Sequence, residues 1–312
     1  MAQGLERKSS SFAEADRDAD GGVDDWEVVA PNETTTSMTL DCRNPPLDRE
    51  SPRRRFQPRG AEPPMSANAN VTNENAKKRV LLIAANPSVS TVTKWPVGFW
   101  WAELTHPYWV FTEAGYEVEI RSPDGGALQA DGYSDPEDAS GYSADDVLSL
   151  GFKKSPKHRA MIEDTKNLDD VTPDRYDAVF VTGGQSPMFT FRGNTKLQTL
   201  LARFYEAGKI TALVCHGTCL LLETKLSNGE LLVKGKTWTG FANSEEQFAD
   251  SFVGMRIQPF WIEDEARKIE GTNFVVDQRF REFAVRDGRL VTGQQQFSGA
   301  AAARLVVEAL GR

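Results

Sequence analysis

Residues 210–222 read ITALVCHGTCLLL, and the rest of the predicted fold is built around this stretch. An apolar run rich in β-forming residues leads into Cys215, His216 and Gly217, and an apolar segment of helical character follows. We interpret the stretch as a buried strand, a sharp turn and a helix, with Cys215 at the turn. Gly217 gives the backbone room to turn, and the N-terminus of the helix would favour the thiolate form of Cys215. The pattern is the cysteine form of a nucleophile elbow.

This elbow is functional only if Cys215 has partners, because a free cysteine is often a small core residue. A catalytic thiol needs a proton shuttle and hydrogen-bond donors for an oxyanion. His216 adjoins Cys215, and neighbouring residues on a turn can face one cleft. Glu245 and Glu246 follow a predicted strand and could orient the imidazole ring, although acids in a first helical turn also complement the helix dipole.

Two further features are candidates for the same cleft. Gly183 and Gly184 follow a predicted strand, so their backbone N–H groups could approach a bound oxyanion, or the pair could form only a turn. Gly217, beside the nucleophile, is a third candidate for contacts to an oxyanion or substrate. Glu103 lies among aromatic and aliphatic residues. A carboxyl group buried there has a raised pKa and can donate a hydrogen bond to a thiolate, whereas an exposed Glu would not.

The composition limits the class of protein. The chain has 312 residues, a formal net charge of -9 and a pI near 5.1, which argues against nucleic acid or an anionic membrane as the main partner. With 3 cysteines and no secretory signal at the start of this sequence, we expect a reducing compartment, the cytoplasm. No apolar run approaches the length of about 18 residues that would predict a membrane span.

The chain divides into two parts by composition. Residues 1–76 are rich in Asp, Glu, Ser, Asn, Pro and Arg, so we expect a disordered polar tail. Met65 opens a polar leader just ahead of the first predicted strand, and we hypothesise that translation starts there and that residues 1–64 are not native. Residues 77–312 are expected to form the folded domain.

From residue 77 onward, apolar strands alternate with helical patterns. Strands are predicted at 79–86, 116–120, 176–182, 210–214, 234–241, 274–277, 283–286 and 289–292. Helices are predicted at 98–114, 195–207 and 298–310, from 243 onward, and as shorter segments at 143–152 and 158–165. The alternation is typical of an α/β fold with a mostly parallel sheet covered on both faces, in which the ligand site lies at the carboxyl ends of the strands.

Short motifs spaced along residues 78–311 together resemble the ThiJ/PfpI superfamily, which is similar to class I glutamine amidotransferases. Within it, the chain most resembles the branch of stress-response chaperones with glyoxalase III activity. The motifs are GFWWAE at 98–103, HPY at 106–108, RSPDGG at 121–126, YDAVF at 176–180, VCHG at 214–217 and TGQ at 292–294.

The resemblance implies a flavodoxin-like three-layer sandwich and a homodimer. It implies that Cys215 is the nucleophile, His216 the histidine and Glu103 a buried glutamate, with Glu245 or Glu246 as the third triad acid. The implied reaction converts methylglyoxal, a small 2-oxoaldehyde, into D-lactate without glutathione, a metal or another cofactor. Unfolded protein clients are implied as further partners.

Two observations qualify this resemblance. Where the branch usually has Pro-Gly-Gly-His-Gly, residues 182–187 read TGGQSP, so a histidine and a glycine are lost beside the nucleophile. The 3 histidines are His106, His158 and His216, so none lies downstream of His216, where glutamine amidotransferase chemistry usually has one. A holding chaperone with a redox-sensing thiol, a protein-repair factor and a cysteine hydrolase remain alternatives to the glyoxalase.

Overall fold

Five parallel strands and one antiparallel edge strand form the central sheet of the computed structural model, which describes residues 77–311. In chain order the strands are β1 (Arg79–Ile83), β2 (Ser88–Val89), β3 (Pro96–Val97), β4 (Glu117–Arg121), β5 (Ala178–Val181), β6 (Ile210–Val214), β7 (Thr237–Trp238), β8 (Asn273–Phe274), β9 (Ala284–Asp287) and β10 (Leu290–Gly293). The helices are α1 (Trp101–Glu113), α2 (Val147–Lys154), α3 (Pro156–Glu163), α4 (Pro187–Thr190), α5 (Thr195–Glu206), α6 (Asn243–Val253), α7 (Ile262–Ala266) and α8 (Gly299–Leu310). Short 3-10 helices span Gly132–Ser134, Pro173–Arg175 and Cys215–Leu222.

The sheet has the strand order β4-β1-β5-β6-β10-β9, and its antiparallel pair is β9 with β10. The central strands β5 and β6 are entirely buried, which suits strands covered on both faces. In β1, Leu82 packs into one apolar cluster with Phe99 and Leu104. Leu81 and Ile83 belong to a second cluster. Because successive strand residues point to opposite faces, both faces carry a core, and the predicted flavodoxin-like three-layer sandwich is confirmed.

The carboxyl ends of β5 and β6 position the candidate site. These strands are neighbours in the sheet, so the residues that follow them, Gly183 after β5 and Cys215 after β6, lie at the same edge. Helix α1 packs against α8 and carries Glu103 in its first turn. Two segments that are far apart in sequence from the elbow therefore meet it at one edge of the sheet.

Most of the predicted strands and helices are present with their ends shifted by a few residues. The prediction of one strand over 234–241 was wrong. Gly235 adopts a φ of 71° and turns the chain, so only β7 is extended, and it pairs with β8 outside the main sheet. The helix predicted after the elbow strand is a 3-10 helix, Cys215–Leu222.

The predictions for residues 1–76, including the start at Met65, lie outside the described residues. Between residues 77 and 311, no helix combines the length and the apolar character that a membrane crossing requires.

Candidate active site

The backbone turns sharply at Cys215, directly after β6. Its φ is 55°, in the left-handed region that residues other than glycine seldom adopt outside strained functional turns. The Thr218 hydroxyl donates a hydrogen bond to the Cys215 carbonyl oxygen at 2.6 Å and holds the turn. A Cβ atom at Gly217 would lie 2.5 Å from the carbonyl oxygen of Thr182, so only glycine fits there. The local geometry is that of the predicted elbow.

His216 connects the thiol to a carboxyl group. Its Nδ1 lies 3.9 Å from Sγ of Cys215, and its Nε2 lies 3.0 Å from Oε1 of Glu246. The Phe241 ring packs against the imidazole with 4.2 Å between ring centroids and so restrains its orientation. When Glu246 is ionised, Nε2 carries the ring proton and its N–H donates a hydrogen bond to Oε1. The lone pair of Nδ1 is then directed toward the thiol.

Glu245 and Glu246 differ in what they contact. Glu245 Oε2 accepts a hydrogen bond from the Ala242 N–H at 3.0 Å. Its Oε1 accepts from the Phe280 N–H at 3.0 Å and from the Gln294 amide at 2.9 Å. These bonds cap α6 and connect it to the loop before β9. The sequence did not distinguish between these two acids. In the structure Glu246 contacts the imidazole, and Glu245 caps the start of α6.

Glu103 is fully buried in the first turn of α1. Its Oε2 accepts a hydrogen bond from the Gly183 N–H at 2.6 Å, and its carboxyl group also interacts with the Cys215 thiol. Burial raises the pKa of Glu103 to about 8; the thiol and the Gly183 N–H oppose this rise, and the charge of Asp131 adds to it. At neutral pH this environment favours the protonated carboxyl, as the sequence predicted.

The thiolate expected at Cys215 stays a prediction. Burial raises the pKa of the thiol, an ionised Glu103 would raise it further, and a backbone hydrogen bond from His216 opposes the rise. The helix that follows is a short 3-10 helix, and the partial charge at its N-terminus acts against the desolvation of a buried thiolate. Burial therefore opposes ionisation of the thiol, and a base beside it would take up the proton when the sulfur attacks.

The two glycines after β5, Gly183 and Gly184, allow neighbouring atoms of the site to pack closely. A Cβ atom at Gly183 would lie 2.6 Å from Glu103 Oε2 and 2.9 Å from the Cys215 Cβ. Gly184 has a φ of 93°, and a Cβ atom there would lie 2.6 Å from the Gly98 carbonyl oxygen. Because the Gly183 N–H donates to Glu103, it is not free for an oxyanion, which corrects that prediction. The oxyanion roles of Gly184 and Gly217 stay predictions.

Sequence reasoning missed Asp131, a buried residue that ties two loops of the site together. Its Oδ1 accepts a hydrogen bond from the Gly98 N–H at 2.8 Å, and its Oδ2 accepts from the Gln185 N–H at 2.7 Å. Burial raises the pKa of Asp131 to about 7, while the two backbone hydrogen bonds and the charge of His216 oppose the rise. A single acid in a polar stretch carries no periodic signal, so this role could not be predicted from the sequence.

Residues 182–187, TGGQSP, depart from the family pattern, and hydrogen bonds of Ser186 hold their loop in place. The Ser186 hydroxyl donates to the Asn86 carbonyl oxygen at 2.6 Å, and the Ser186 N–H donates to the Gly98 carbonyl oxygen at 3.0 Å. Pro187 begins α4. Gln185 lines the pocket, and its Oε1 is buried without a hydrogen-bond partner among the described residues. A side-chain amide thus stands beside the nucleophile where the family pattern has a histidine.

A pocket of about 760 Å³, part of it open to solvent, lies over Cys215 and His216. Apart from these two, Glu246, Gln185 and two further glutamines, its lining is aromatic or aliphatic: Trp95, Trp100, Tyr133, Tyr142, Phe241, Phe248, Ala249, Phe252, Val253, Ile257 and Phe280. Among residues 77–311, no group of three or more His, Cys, Asp or Glu side chains is arranged to hold a metal ion.

Comparison with known proteins assigns the chain to a family. The sequence model of the DJ-1/PfpI family matches residues 97–309, a range that contains Glu103, Cys215, His216 and Glu246. The chain belongs to the DJ-1/PfpI family. The resemblance to the ThiJ/PfpI superfamily that the motifs predicted is thereby confirmed.

Fungal relatives of this DJ-1/PfpI protein carry glyoxalase names. The probable glutathione-independent glyoxalase hsp3103 of Schizosaccharomyces pombe is 31% identical over 260 residues, which cover 75% of this chain and 99% of that protein. Glyoxalase 3 of Candida albicans is 26% identical over 214 residues, which cover 68% of this chain and 89% of that protein. The crystal structure of glyoxalase III from Candida albicans matches with a TM-score of 0.62 at 26% identity, covering 74% of this chain and 97% of that structure.

Proposed function

We propose that this DJ-1/PfpI protein is a glutathione-independent glyoxalase of the glyoxalase III type, which converts methylglyoxal and water into D-lactate. One observation carries the proposal. Cys215 Sγ lies 3.9 Å from His216 Nδ1, and His216 Nε2 lies 3.0 Å from Glu246 Oε1, at a pocket that a small substrate can enter. The fungal relatives named as glyoxalases support it.

The first step adds the thiol to the aldehyde carbon. Nδ1 of His216 accepts the thiol proton while Sγ of Cys215 forms a bond to that carbon. The electron pair of the C=O bond moves to the oxygen, which takes up the proton and gives a hemithioacetal. Glu246 stabilises the imidazolium ion that exists while the proton is on His216.

The second step moves hydrogen from one carbon to the next. A base removes the proton from the former aldehyde carbon, the freed electron pair forms the C=C bond of an enediol, and the ketone oxygen takes up a proton. The second carbon then takes up a proton while the hydroxyl group on the former aldehyde carbon gives its proton back to the base, which leaves a thioester next to a hydroxyl group. We assign these transfers to His216 and Glu103, because both contact the thiol and a carboxyl group with a pKa of about 8 can exchange protons near neutral pH.

In the last step water attacks the thioester carbon and the C–S bond breaks. His216 accepts a proton from the attacking water and passes it to the sulfur of Cys215, and D-lactate leaves. Over the whole reaction the aldehyde carbon is oxidised to a carboxyl group and the ketone carbon is reduced to an alcohol. The two changes balance within one molecule, so the reaction needs water and no external oxidant or reductant.

The test measures D-lactate formed from methylglyoxal without glutathione. Cys215→Ala should lower the rate by about 1,000-fold or more, as expected on loss of a nucleophile. Cys219→Ala is the matched control, because Cys219 is also buried and its Sγ donates a hydrogen bond to the Pro187 carbonyl oxygen, at 3.5 Å. It should retain most of the activity. Absence of wild-type activity, or equal rates in all three proteins, would contradict the proposal.

We also propose that the protein acts in the cytoplasm as a homodimer. The family resemblance and the cysteine usage support this proposal. Light scattering of the purified protein tests the assembly, and a monomer at micromolar concentration would contradict it. Binding of unfolded protein clients is a separate proposal, and it predicts that suppression of client aggregation survives Cys215→Ala.

A further inference from the structure

Three backbone N–H groups of the loop after β5 already donate hydrogen bonds within the protein. The Gly183 N–H donates to Glu103 Oε2 at 2.6 Å. The Gln185 N–H donates to Asp131 Oδ2 at 2.7 Å, and the Ser186 N–H donates to a backbone carbonyl oxygen at 3.0 Å. None of these three groups is free to bind the oxygen that becomes negatively charged when a thiol adds to an aldehyde.

The side chain of Gln185 has an unpaired hydrogen-bond acceptor. This residue lines the pocket together with Cys215 and His216. Its Oε1 is buried and has no hydrogen-bond partner among the described residues. A buried acceptor without a donor destabilises the site that contains it. A ligand that donates an O–H group to Oε1 would therefore gain more from binding than a ligand that carries acceptors only.

The backbone around Gln185 is held beside the nucleophile. Its N–H group donates to Asp131, which is buried, and the Ser186 hydroxyl donates to a backbone carbonyl oxygen at 2.6 Å. Two residues earlier, a Cβ atom at Gly183 would lie 2.9 Å from the Cys215 Cβ. A polar side chain on such a fixed loop needs little reorganisation when charge develops in the substrate, which is the condition for electrostatic catalysis.

A second glutamine supports a ligand that carries hydroxyl groups. Gln258 lies on the loop after α6, is 3% exposed and lines the same pocket. Its Oε1 is also buried without a hydrogen-bond partner among the described residues. Its carbonyl oxygen accepts a hydrogen bond from Arg256 Nε at 3.0 Å, which helps to fix the loop. Two unpaired acceptors from separate loops thus line one pocket.

The forms of the substrate differ in the hydrogen-bond donors that they offer. Both oxygens of the unhydrated 2-oxoaldehyde are carbonyl acceptors. The hemithioacetal on Cys215 carries one hydroxyl group, and the enediol carries two. An amide has N–H donors as well as its acceptor, so Gln185 can pair with a hydroxyl through Oε1 and with the neighbouring oxygen through Nε2. Contacts that are stronger for the intermediates than for the substrate raise kcat.

We propose that Gln185 is a catalytic residue, whose side-chain amide binds the oxygens of the hemithioacetal and of the enediol while these are attached to Cys215. This inference rests on the proposed glyoxalase function. No covalent bond forms or breaks at Gln185, and the proton transfers stay with His216 and Glu103. The residue that stands in place of the family's histidine thus takes a direct part in the reaction.

The test measures kcat and KM for methylglyoxal in Gln185→Met, with D-lactate quantified. Methionine keeps most of the length of the side chain and removes the amide. We expect kcat and kcat/KM to fall together by about tenfold or more with KM unchanged, as on loss of contacts made only after the thiol has added. The melting temperature should stay the same or rise, because an apolar group replaces a buried unpaired acceptor.

Two further variants sharpen this test. Gln198→Met in α5 is the matched control, because it makes the same substitution at a half-buried amide that contacts Glu223. It should keep the wild-type kcat. Gln185→His keeps a ring nitrogen that can accept a hydroxyl and an N–H that can donate, so it should be more active than Gln185→Met.

The outcomes separate this inference from the proposed function. Wild-type kcat in Gln185→Met, or a loss confined to KM, would overturn the inference and leave the glyoxalase proposal intact. A lower melting temperature in both Gln185 variants, with equal losses of activity, would show a structural role and also overturn it. A loss of kcat in Gln258→Met but not in Gln185→Met would contradict the assignment to Gln185. Absence of D-lactate with the wild type would overturn both proposals.

Discussion

His216 Nε2 lies 3.0 Å from Glu246 Oε1, and both side chains are almost fully excluded from solvent. This contact joins the elbow after β6 to the first turn of α6. It selects the ring nitrogen that carries the proton and leaves the other nitrogen to act on Cys215. Because burial raises the pKa of the Cys215 thiol, a correctly oriented base helps its sulfur to attack.

The first prediction concerns the two neighbouring acids. Glu246→Gln keeps the shape of the side chain but removes the charge that stabilises the imidazolium, so kcat should fall by about 100-fold or more. Glu245→Gln should retain most of the activity and lower the melting temperature, because Glu245 caps α6. Steady-state kinetics and thermal unfolding of both variants check this. Equal losses of kcat would contradict the assignment of Glu246.

The second prediction concerns the buried carboxyl of Glu103. Glu103→Gln can still accept the Gly183 N–H through its amide oxygen, so the fold should persist. The amide cannot give up and recover a proton near neutral pH, so turnover of methylglyoxal should fall by about 100-fold or more. The wild-type rate should also fall as pH rises through about 8, where Glu103 loses its proton. A variant with full activity would contradict the proton-transfer role.

The third prediction is a dependence of stability on pH. Burial raises the pKa of Glu103 from 4.5 to about 8 and that of Asp131 from 3.8 to about 7, so the folded state holds these protons at pH values where the unfolded chain has lost them. Their contribution to the free energy of unfolding is complete below the unfolded pKa values and is lost as pH rises through the folded ones. Urea unfolding between about pH 5 and pH 8.5 should show a smaller decline for Glu103→Gln and Asp131→Asn than for the wild type. Parallel curves for all three proteins would contradict it.

The fourth prediction concerns the contact between the glycine loop and the nucleophile. Gly183→Ala places a methyl group 2.6 Å from Glu103 Oε2 and 2.9 Å from the Cys215 Cβ, so both must move. We expect at least about a tenfold loss of kcat/KM, since catalysis depends on this geometry. Gly151→Ala in α2 is the control, because a Cβ atom there meets nothing within 4 Å and alanine favours helix. It should keep full activity and unfold at the same or a higher temperature. Full activity in Gly183→Ala would contradict the packing argument.

The strands and the elbow could be predicted from sequence because their signals are local. Residues 210–214 form an apolar run that ends at Cys-His-Gly, and β6 spans the same residues. The place of Glu103 was predictable from its apolar neighbours within α1 and from the family resemblance. Each of these inferences needed only a few consecutive residues.

The remaining features of the site depend on contacts that are distant in sequence. Asp131 binds N–H groups 33 and 54 residues away, which no local pattern reveals. Glu245 and Glu246 are adjacent on one helix, so the choice between them depends on how α6 docks against the imidazole. The pKa of the Cys215 thiol is raised by burial in the assembled fold. The prediction of a thiolate considered only the helix that follows Cys215 in the sequence.

The most direct test of the account is whether substrate carbon becomes bonded to Cys215 during turnover. Wild-type protein would be mixed with isotopically labelled methylglyoxal, quenched in acid at successive times and mapped by peptide mass spectrometry, while D-lactate is measured in the same samples. We expect a labelled adduct on the peptide that contains Cys215, formed before D-lactate and lost as D-lactate accumulates, with Cys219 unlabelled. Formation of D-lactate at the full rate in Cys215→Ala, or with no adduct on Cys215 at any time, would contradict it.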